Sequence, residues 1–218
     1  ANKYLGGGAV EAGNVQEEIM FTVAPECAVG MLFIECMKEN EAIHIQGAQT
    51  YSNHQGYGYE FRFAGPHKES AELTEGKFLS KDIIAIDAIN FYQAGLNHQY
   101  KDDFILREVN KAYVGFSAQD PQGSETKKPI STGKWGCGLF GGDAQLKFLI
   151  QWIAASRAKR NMLFYAFRDK GIMKGGQLVA KYKGKPIGEL MALILAHTKA
   201  LGTKKIKKPC VFEFIMNT

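Results

Sequence analysis

The stretch IIAIDA, Ile83–Ala88, constrains the fold more than any other part of the 218-residue chain. It is a short apolar run without polar alternation, the pattern of a central strand buried on both faces. Such a strand needs covering layers, and the sequence supplies helical stripes on either side of it. Behind Pro25, which suits a first helical position, Val29, Leu32, Phe33, Cys36 and Met37 recur at i, i+3, i+4, i+7 and i+8. Leu146, Leu149, Ile150, Ile153 and Ala154 repeat the pattern behind Asp143, and Ile187, Leu190, Met191 and Ile194 repeat it after Pro186. Phe104–Tyr113 is a less regular helix. Further strands are expected at Ala42–Ile45, Tyr57–Phe63, Met162–Phe167 and Val211–Ile215. In YGYEFRF the aromatics fall on every second position, giving that strand one aromatic face. Alternating strands and helices predict a single α/β domain over residues 1–218, with Ser117–Pro129 as a surface excursion.

Composition narrows the class. With 45% hydrophobic and 22% charged residues the chain reads as an ordinary globular protein. No apolar run approaches the ~18–20 residues of a membrane span. The four cysteines, Cys27, Cys36, Cys137 and Cys210, show neither a CxxC pair nor zinc spacing, which predicts reduced thiols, an intracellular setting and no metal site. The net charge of +5 is concentrated in Lys204–Lys208 and in Arg157, Lys159 and Arg160. A solvated face is the plainer reading of those clusters, and a shallow attraction for a phosphate polymer is the functional one. The chain opens on Ala1 rather than methionine, which leads us to expect a fragment or a processed product.

Two glycine-rich segments each lead into a helix: GGGAVEAGNVQEE, from Gly6, and GKWGCGLFGGDAQLK, from Gly133. Glycines permit positive φ and close approach, and a helix start offers free N–H groups to an anion. Neither matches a P-loop or a dinucleotide fingerprint. Together they point to a diphosphate gripped by two loops at the strand ends of an open sheet. Glu17 and Glu18 fall at the start of a predicted helix, where acids also serve as simple dipole partners. Adjacent helical positions diverge by ~100°, so the pair does not flank a sugar ring as two opposed glycosidase carboxylates would. If they cleave a glycoside, one is the acid and the other holds the substrate. Tyr57 and Phe140, in glycine-rich surroundings, are the aromatics best suited to stack on a base or ribose. The five histidines have neither ligand nor triad spacing and read as structural or surface residues.

Three glycines, seven residues, then QEE closely resembles the signature of eukaryotic poly(ADP-ribose) glycohydrolase. YSNHQGYGYEFRF resembles that family's tyrosine-bearing loop, and IIAIDAINF, REVNKAYVGF and TGKWGCGLFGGDAQLKFLI resemble its later blocks in the same order. The resemblance runs from Ala1 to about Asp169, and the C-terminal segment matches far less. It implies a macrodomain: a three-layer α/β/α fold with a mixed central sheet and ADP-ribose in a cleft at the strand ends, here without the usual N-terminal helical accessory region. It also implies hydrolysis of ribose–ribose O-glycosidic bonds in poly(ADP-ribose), releasing ADP-ribose, in a nuclear or cytoplasmic monomer of the DNA damage response that needs no cofactor and meets poly(ADP-ribosyl)ated proteins.

By position, the resemblance makes Glu18 the general acid and then base, and Glu17 the holder of ribose hydroxyls. Asn2 and Gln16 match residues contacting the ribose and pocket. Gly6, Gly7 and Gly8 match one diphosphate loop; Lys134, Trp135, Gly136, Cys137, Gly138, Leu139 and Phe140 match the other. Tyr57 matches the tyrosine that closes over the ligand, and Phe140 and Phe167 match aromatics that pack on it. Lys134 stands where the family more often has asparagine, and His54 where many members have tyrosine. The expected chemistry is protonation of a glycosidic oxygen by Glu18, held in its acid form by the charges of Glu17 and the diphosphate. A binding macrodomain without catalysis and a hydrolase of mono-ADP-ribosylated proteins are the alternatives.

Overall fold

A computed structural model of the chain describes residues 3–11, 13–118, 128–203 and 210–218. Asn2 and the Lys204–Lys208 cluster lie outside the described residues. The chain divides into two compact units, Ala1–Asp87 and Ala88–Thr218.

The first unit carries helix α1 (Gln16–Val23), a 3-10 helix (Pro25–Leu32) and strands β1 (Ile43–Gly47), β2 (Ser52–Gln55), β3 (Arg62–Pro66) and β4 (Leu79–Ala85). β1 pairs with β4 and β2 with β3, both antiparallel. Its core gathers Leu5, Phe21, Ala24, Cys27 and Ala48 against Ile43, Ile45 and Ile83. Three expectations are corrected here. The stripe behind Pro25 does not become a buried α-helical face, since Val29, Leu32 and Phe33 are exposed. A 3-10 helix makes three residues per turn, so a 3.6-residue stripe is dispersed around it. The backbone itself packs there instead: a Cβ on Gly30 would lie 2.8 Å from Leu5. YGYEFRF is not one strand, because Gly56 and Gly58 take φ of +73° and +61° and Gly58–Glu60 forms a 3-10 turn, so pairing starts only at Arg62. The strand in IIAIDA begins earlier, at Leu79, and ends at Ala85. It is half-buried, and full burial comes only at Ile86, Asp87 and Ala88, where pairing has ended.

The second unit contains α2 (Phe91–Ala94), α3 (Asp102–Phe116), β5 (Ile130–Thr132), α4 (Ala144–Arg157), β6 (Met162–Phe164), α5 (Lys170–Met173), α6 (Gly175–Tyr182), α7 (Ile187–Gly202) and α8 (Val211–Asn217). β5 and β6 are parallel, with Ile130 opposite Met162 and Thr132 opposite Phe164. Helix α4 forms as its stripe predicts. Asp143 caps it by accepting from the Leu146 N–H at 2.8 Å, an interaction that stabilises a helix start by about 1 kcal/mol. Leu146, Leu149, Ile150 and Ile153 enter a core shared with Ile105 of α3 and Ile194 of α7. Val211–Ile215, expected as a strand, is helical: Val211, Phe212 and Ile215 are buried, a one-sided i, i+1, i+4 set. Five residues are too few for periodicity to separate the two states. Among the described residues no helix is long and apolar enough to cross a membrane.

Candidate active site

The first unit brings the two acids onto the glycine turn. Helix α1 starts at Gln16, so Glu17 and Glu18 occupy its first turn. Gly6 and Gly7 take φ of +86° and +52°, turning the chain so that the Gly6 and Gly8 amides face the helix start. The Gly6 N–H donates to Glu17 Oε1 at 3.0 Å. The Gly8 N–H donates to Glu18 Oε1 at 3.1 Å, and the Val15 N–H to Glu18 Oε2 at 3.2 Å. The Gly7 N–H is taken by the Tyr4 carbonyl. Glu18, buried at 8% exposure, is thus held by both carboxylate oxygens, one of them in the way a third helical residue reaches back to its N-cap. Although neighbours on a helix diverge, both side chains converge on Gly7. A Cβ there would stand 2.8 Å from Glu18 Oε1 and 3.3 Å from Glu17 Oε2. In this conformation the glycine-turn amides therefore hold carboxylates.

Gly13 is a residue that sequence reasoning missed. A Cβ at this position would lie 2.4 Å from Glu18 Cγ and 2.8 Å from the Gly8 carbonyl. Its signal was one more glycine inside the spacer, easily read as loop composition. Tyr57 reaches the same helix start: its hydroxyl accepts from the Gln16 N–H at 3.2 Å, and the neighbouring Gly58 N–H donates to the Asn14 carbonyl at 3.0 Å. The ring is 56% exposed and available to a ligand. Gly56 makes this loop possible, since a Cβ there would meet the Glu60 carbonyl oxygen at 2.0 Å.

The second unit holds Lys134–Phe140 in a tight loop between β5 and α4. The Gly142 N–H closes it on the Gly136 carbonyl at 2.9 Å, and the Phe91 N–H donates to the Phe140 carbonyl at 2.8 Å. Among the described residues, the N–H groups of Gly136, Gly138, Leu139 and Phe140 carry no hydrogen bond. Such a run of open backbone donors is what an anion needs. The glycines here differ in kind. Gly136 (φ +72°) would press a Cβ onto Ala88 at 2.7 Å, whereas a Cβ on Gly138 would meet nothing within 4 Å.

Other expected residues of this unit take defined places. Phe167 lies by the loop's entry, with its ring 3.0 Å from where a Gly133 Cβ would be. It is 66% exposed, and both it and Arg168 hold positive φ, +49° and +60°, which is uncommon for such side chains. The Lys134 ammonium lies 3.7 Å from Asp169 Oδ2. Burial, and then the nearby Asp143 carboxylate, push the Cys137 thiol up to about 12, so it is no thiolate nucleophile at neutral pH. Of the remaining basic cluster, Arg160 is structural, donating to the Lys128 carbonyl at 2.7 Å and the Phe116 carbonyl at 3.3 Å. His44 pairs with Asp82 at 2.8 Å and His197 is fully buried, both in structural settings. Among the described residues no group of three or more His, Cys, Asp or Glu side chains could hold a metal ion.

An α/β fold with two adjacent acids held on a glycine turn defines the class: a scaffold carrying a paired-carboxylate centre. The comparisons give the family. The model of poly(ADP-ribose) glycohydrolase, macrodomain fold, matches residues 1–174, and the chain belongs to that family. Poly(ADP-ribose) glycohydrolase 1 of Caenorhabditis elegans is 40% identical, covering 89% of this chain and 26% of the relative. A probable poly(ADP-ribose) glycohydrolase 2 of Arabidopsis thaliana is 34% identical, covering 82% of this chain and 41% of the relative. Poly(ADP-ribose) glycohydrolase 1 of the same plant is 35% identical, covering 76% of this chain and 41% of its own length. The chain thus spans well under half of the curated relatives it matches. The family match stops before α6, in keeping with the fading resemblance of the C-terminal segment.

Proposed function

We propose that residues 1–218 are the catalytic macrodomain of a poly(ADP-ribose) glycohydrolase, cleaving ribose–ribose O-glycosidic bonds of the polymer and releasing ADP-ribose. The observation that carries this reading is the convergence of Glu17 and Glu18 on one glycine turn, both carboxylates meeting at Gly7. A module that only binds ADP-ribose has no use for two carboxylates converging on one glycine turn.

On this reading Glu18, as the carboxylic acid, donates its proton to the glycosidic oxygen. The C–O bond breaks with its electron pair passing to that oxygen, and an oxocarbenium-like ribose is left. The resulting Glu18 carboxylate then takes a proton from water as the water oxygen bonds to the anomeric carbon, which returns the acid to its starting form. Glu17 holds hydroxyls of the same ribose, and Gln16 contacts the ligand near it. Tyr57 covers the ligand. The open amides of the Lys134–Phe140 loop bind diphosphate, with Phe140 and Phe167 packing on the nucleoside side.

The test is direct: poly(ADP-ribose) is incubated with the full-length protein and free ADP-ribose is measured. Glu18→Gln, which cannot donate the proton, is expected to lose at least about 10²-fold in turnover, the usual worth of a positioned general acid. Near-wild-type turnover in Glu18→Gln refutes the assignment. A wild-type protein that binds ADP-ribose but releases none from the polymer is a binding macrodomain instead.

A further inference from the structure

Helix α4 is apolar nearly all round, yet one face of it is polar and buried. Asp143 at its N-cap, Lys147 and Gln151 stand at i, i+4 and i+8, a single stripe. Lys147 and Gln151 address the glycine loop that precedes the helix, and Asp143 closes its end. Gln151, with no exposure, donates to the Gly133 carbonyl at 3.0 Å and accepts from the Thr132 hydroxyl at 2.6 Å, fixing the loop's entry. Asp143 fixes its exit: its N–H donates to Gln99 Oε1 at 2.5 Å and its carboxylate accepts from the Tyr100 hydroxyl at 3.1 Å.

Lys147 fixes the middle. It is 2% exposed, its ammonium lies 3.9 Å from the centre of the Trp135 ring, and it pairs with Glu108 of α3. Glu108, 1% exposed, also accepts from the Ile89 N–H at 3.2 Å and from Arg107 at 2.6 Å. The loop's glycines are shaped around this ammonium: a Cβ on Gly136 would stand 3.2 Å from Lys147 Nζ, and one on Gly142 would stand 3.1 Å from Cε. A buried ion pair is often no more stabilising than a well-packed apolar pair of the same volume. Stability alone therefore does not account for a lysine here, and its contacts do.

We propose that Lys147 is a positioning residue for ligand binding, holding Trp135 and Gly136 so that the open amides of Gly136, Gly138, Leu139 and Phe140 keep the shape of an anion cradle. The inference rests on the proposed ADP-ribose reading for its ligand but not for its mechanics. Two measurements on the full-length protein separate them.

In Lys147→Met/Glu108→Gln, which removes both charges together, the Kd for ADP-ribose and the KM for polymer rise at least tenfold while kcat stays within threefold. Amide hydrogen exchange at Cys137 and Gly142, measured without ligand, speeds by at least tenfold, and exchange within α7 does not change. Unchanged Kd and unchanged loop exchange in the folded double variant overturn the proposal. Should that variant fail to fold, Trp135→Leu keeps the ion pair and removes only the ring between it and the loop. The same rise in Kd is expected there, and an unchanged Kd overturns the proposal equally. If the wild-type protein binds no ADP-ribose, the functional reading fails, and loop exchange alone then decides whether Lys147 positions the loop.

Discussion

Gly13→Ala perturbs the seat of Glu18 directly and, through the Gly8 carbonyl, the glycine turn that holds it. Gly13 has no positive φ, so alanine adds no left-handed strain there. Its methyl would meet Glu18 Cγ at 2.4 Å, Cδ at 3.0 Å and the Gly8 carbonyl at 2.8 Å. Carbon atoms settle at about 3.5–4.0 Å, so the side chain must retreat by about 1 Å. The bonds from Gly8 and Val15, already 3.1 and 3.2 Å, lengthen or break with it. A displacement of about 1 Å at a reacting group costs about 10²-fold in rate. Losing the bond to the N-cap N–H costs about 1 kcal/mol, or ~2–4 °C in thermal midpoint for a chain of this size. The assay is ADP-ribose release from polymer, with ADP-ribose affinity measured alongside and Gly188→Ala, which meets nothing within 4 Å, as a control for glycine replacement in general. The expected result is a folded variant with a rate about 10²-fold down. A folded Gly13→Ala protein with wild-type turnover would mean that the observed seat of Glu18 is not its reacting position.

Gly138→Ala is expected to fold and melt like the wild type, because its methyl meets no protein atom within 4 Å. Titration with ADP-ribose should nevertheless show at least a tenfold weaker Kd, about 1.4 kcal/mol, and an unchanged Kd would remove the loop from the diphosphate site. His197 predicts the pH dependence of stability. Burial lowers its pKa below 6.5, and among the described residues neither ring nitrogen has a hydrogen-bond partner. The unfolded chain takes up a proton that the folded one refuses, so stability is highest above 6.5 and falls as pH drops through that value towards the folded pKa. The slope from this one group approaches 1.36 kcal/mol per pH unit. Thermal midpoints of His197→Phe should fall less than those of the wild type between about pH 7.5 and about pH 5, and parallel curves would refute the reading.

What could be read from the sequence depended on how many residues a feature spreads its signal over. Helix α4 announced itself through a capping aspartate and five apolar residues at helical spacing, all pointing the same way. α8 did not, since VFEFI offers one turn's worth of pattern, and tertiary burial of Val211, Phe212 and Ile215 decides its state. The segment after Pro25 kept its start signal but not its helix type, because periodicity cannot tell a 3-10 turn from an α turn when a glycine packs its own backbone on Leu5. The acids were legible through adjacency and the glycine run. Lys147 was not: lysine is almost never fully buried unless paired, and Glu108, its partner, stands 39 positions away in the chain.

Glycine content alone gives the two loops one meaning, and hydrogen-bond accounting gives them two. Every backbone N–H near the protein interior needs a partner. In the first loop those partners are internal: Gly6 and Gly8 donate to the acids, Gly7 to Tyr4, and Gly13 to the Gly8 carbonyl at 3.2 Å. That last bond, with the Ala9 and Glu11 turns before it, folds the spacer back so that a glycine ten residues ahead of Glu18 can touch it. The interval between GGG and QEE is therefore a mechanical dimension of the acid's seat. In the second loop the accounting leaves Gly136, Gly138, Leu139 and Phe140 open among the described residues, and only Gly138 lacks an internal steric reason to be glycine. A missing side chain that nothing in the protein requires is best explained by what approaches from outside. The same glycine-then-helix pattern thus builds a holder for acids in one place and an open set of donors in the other.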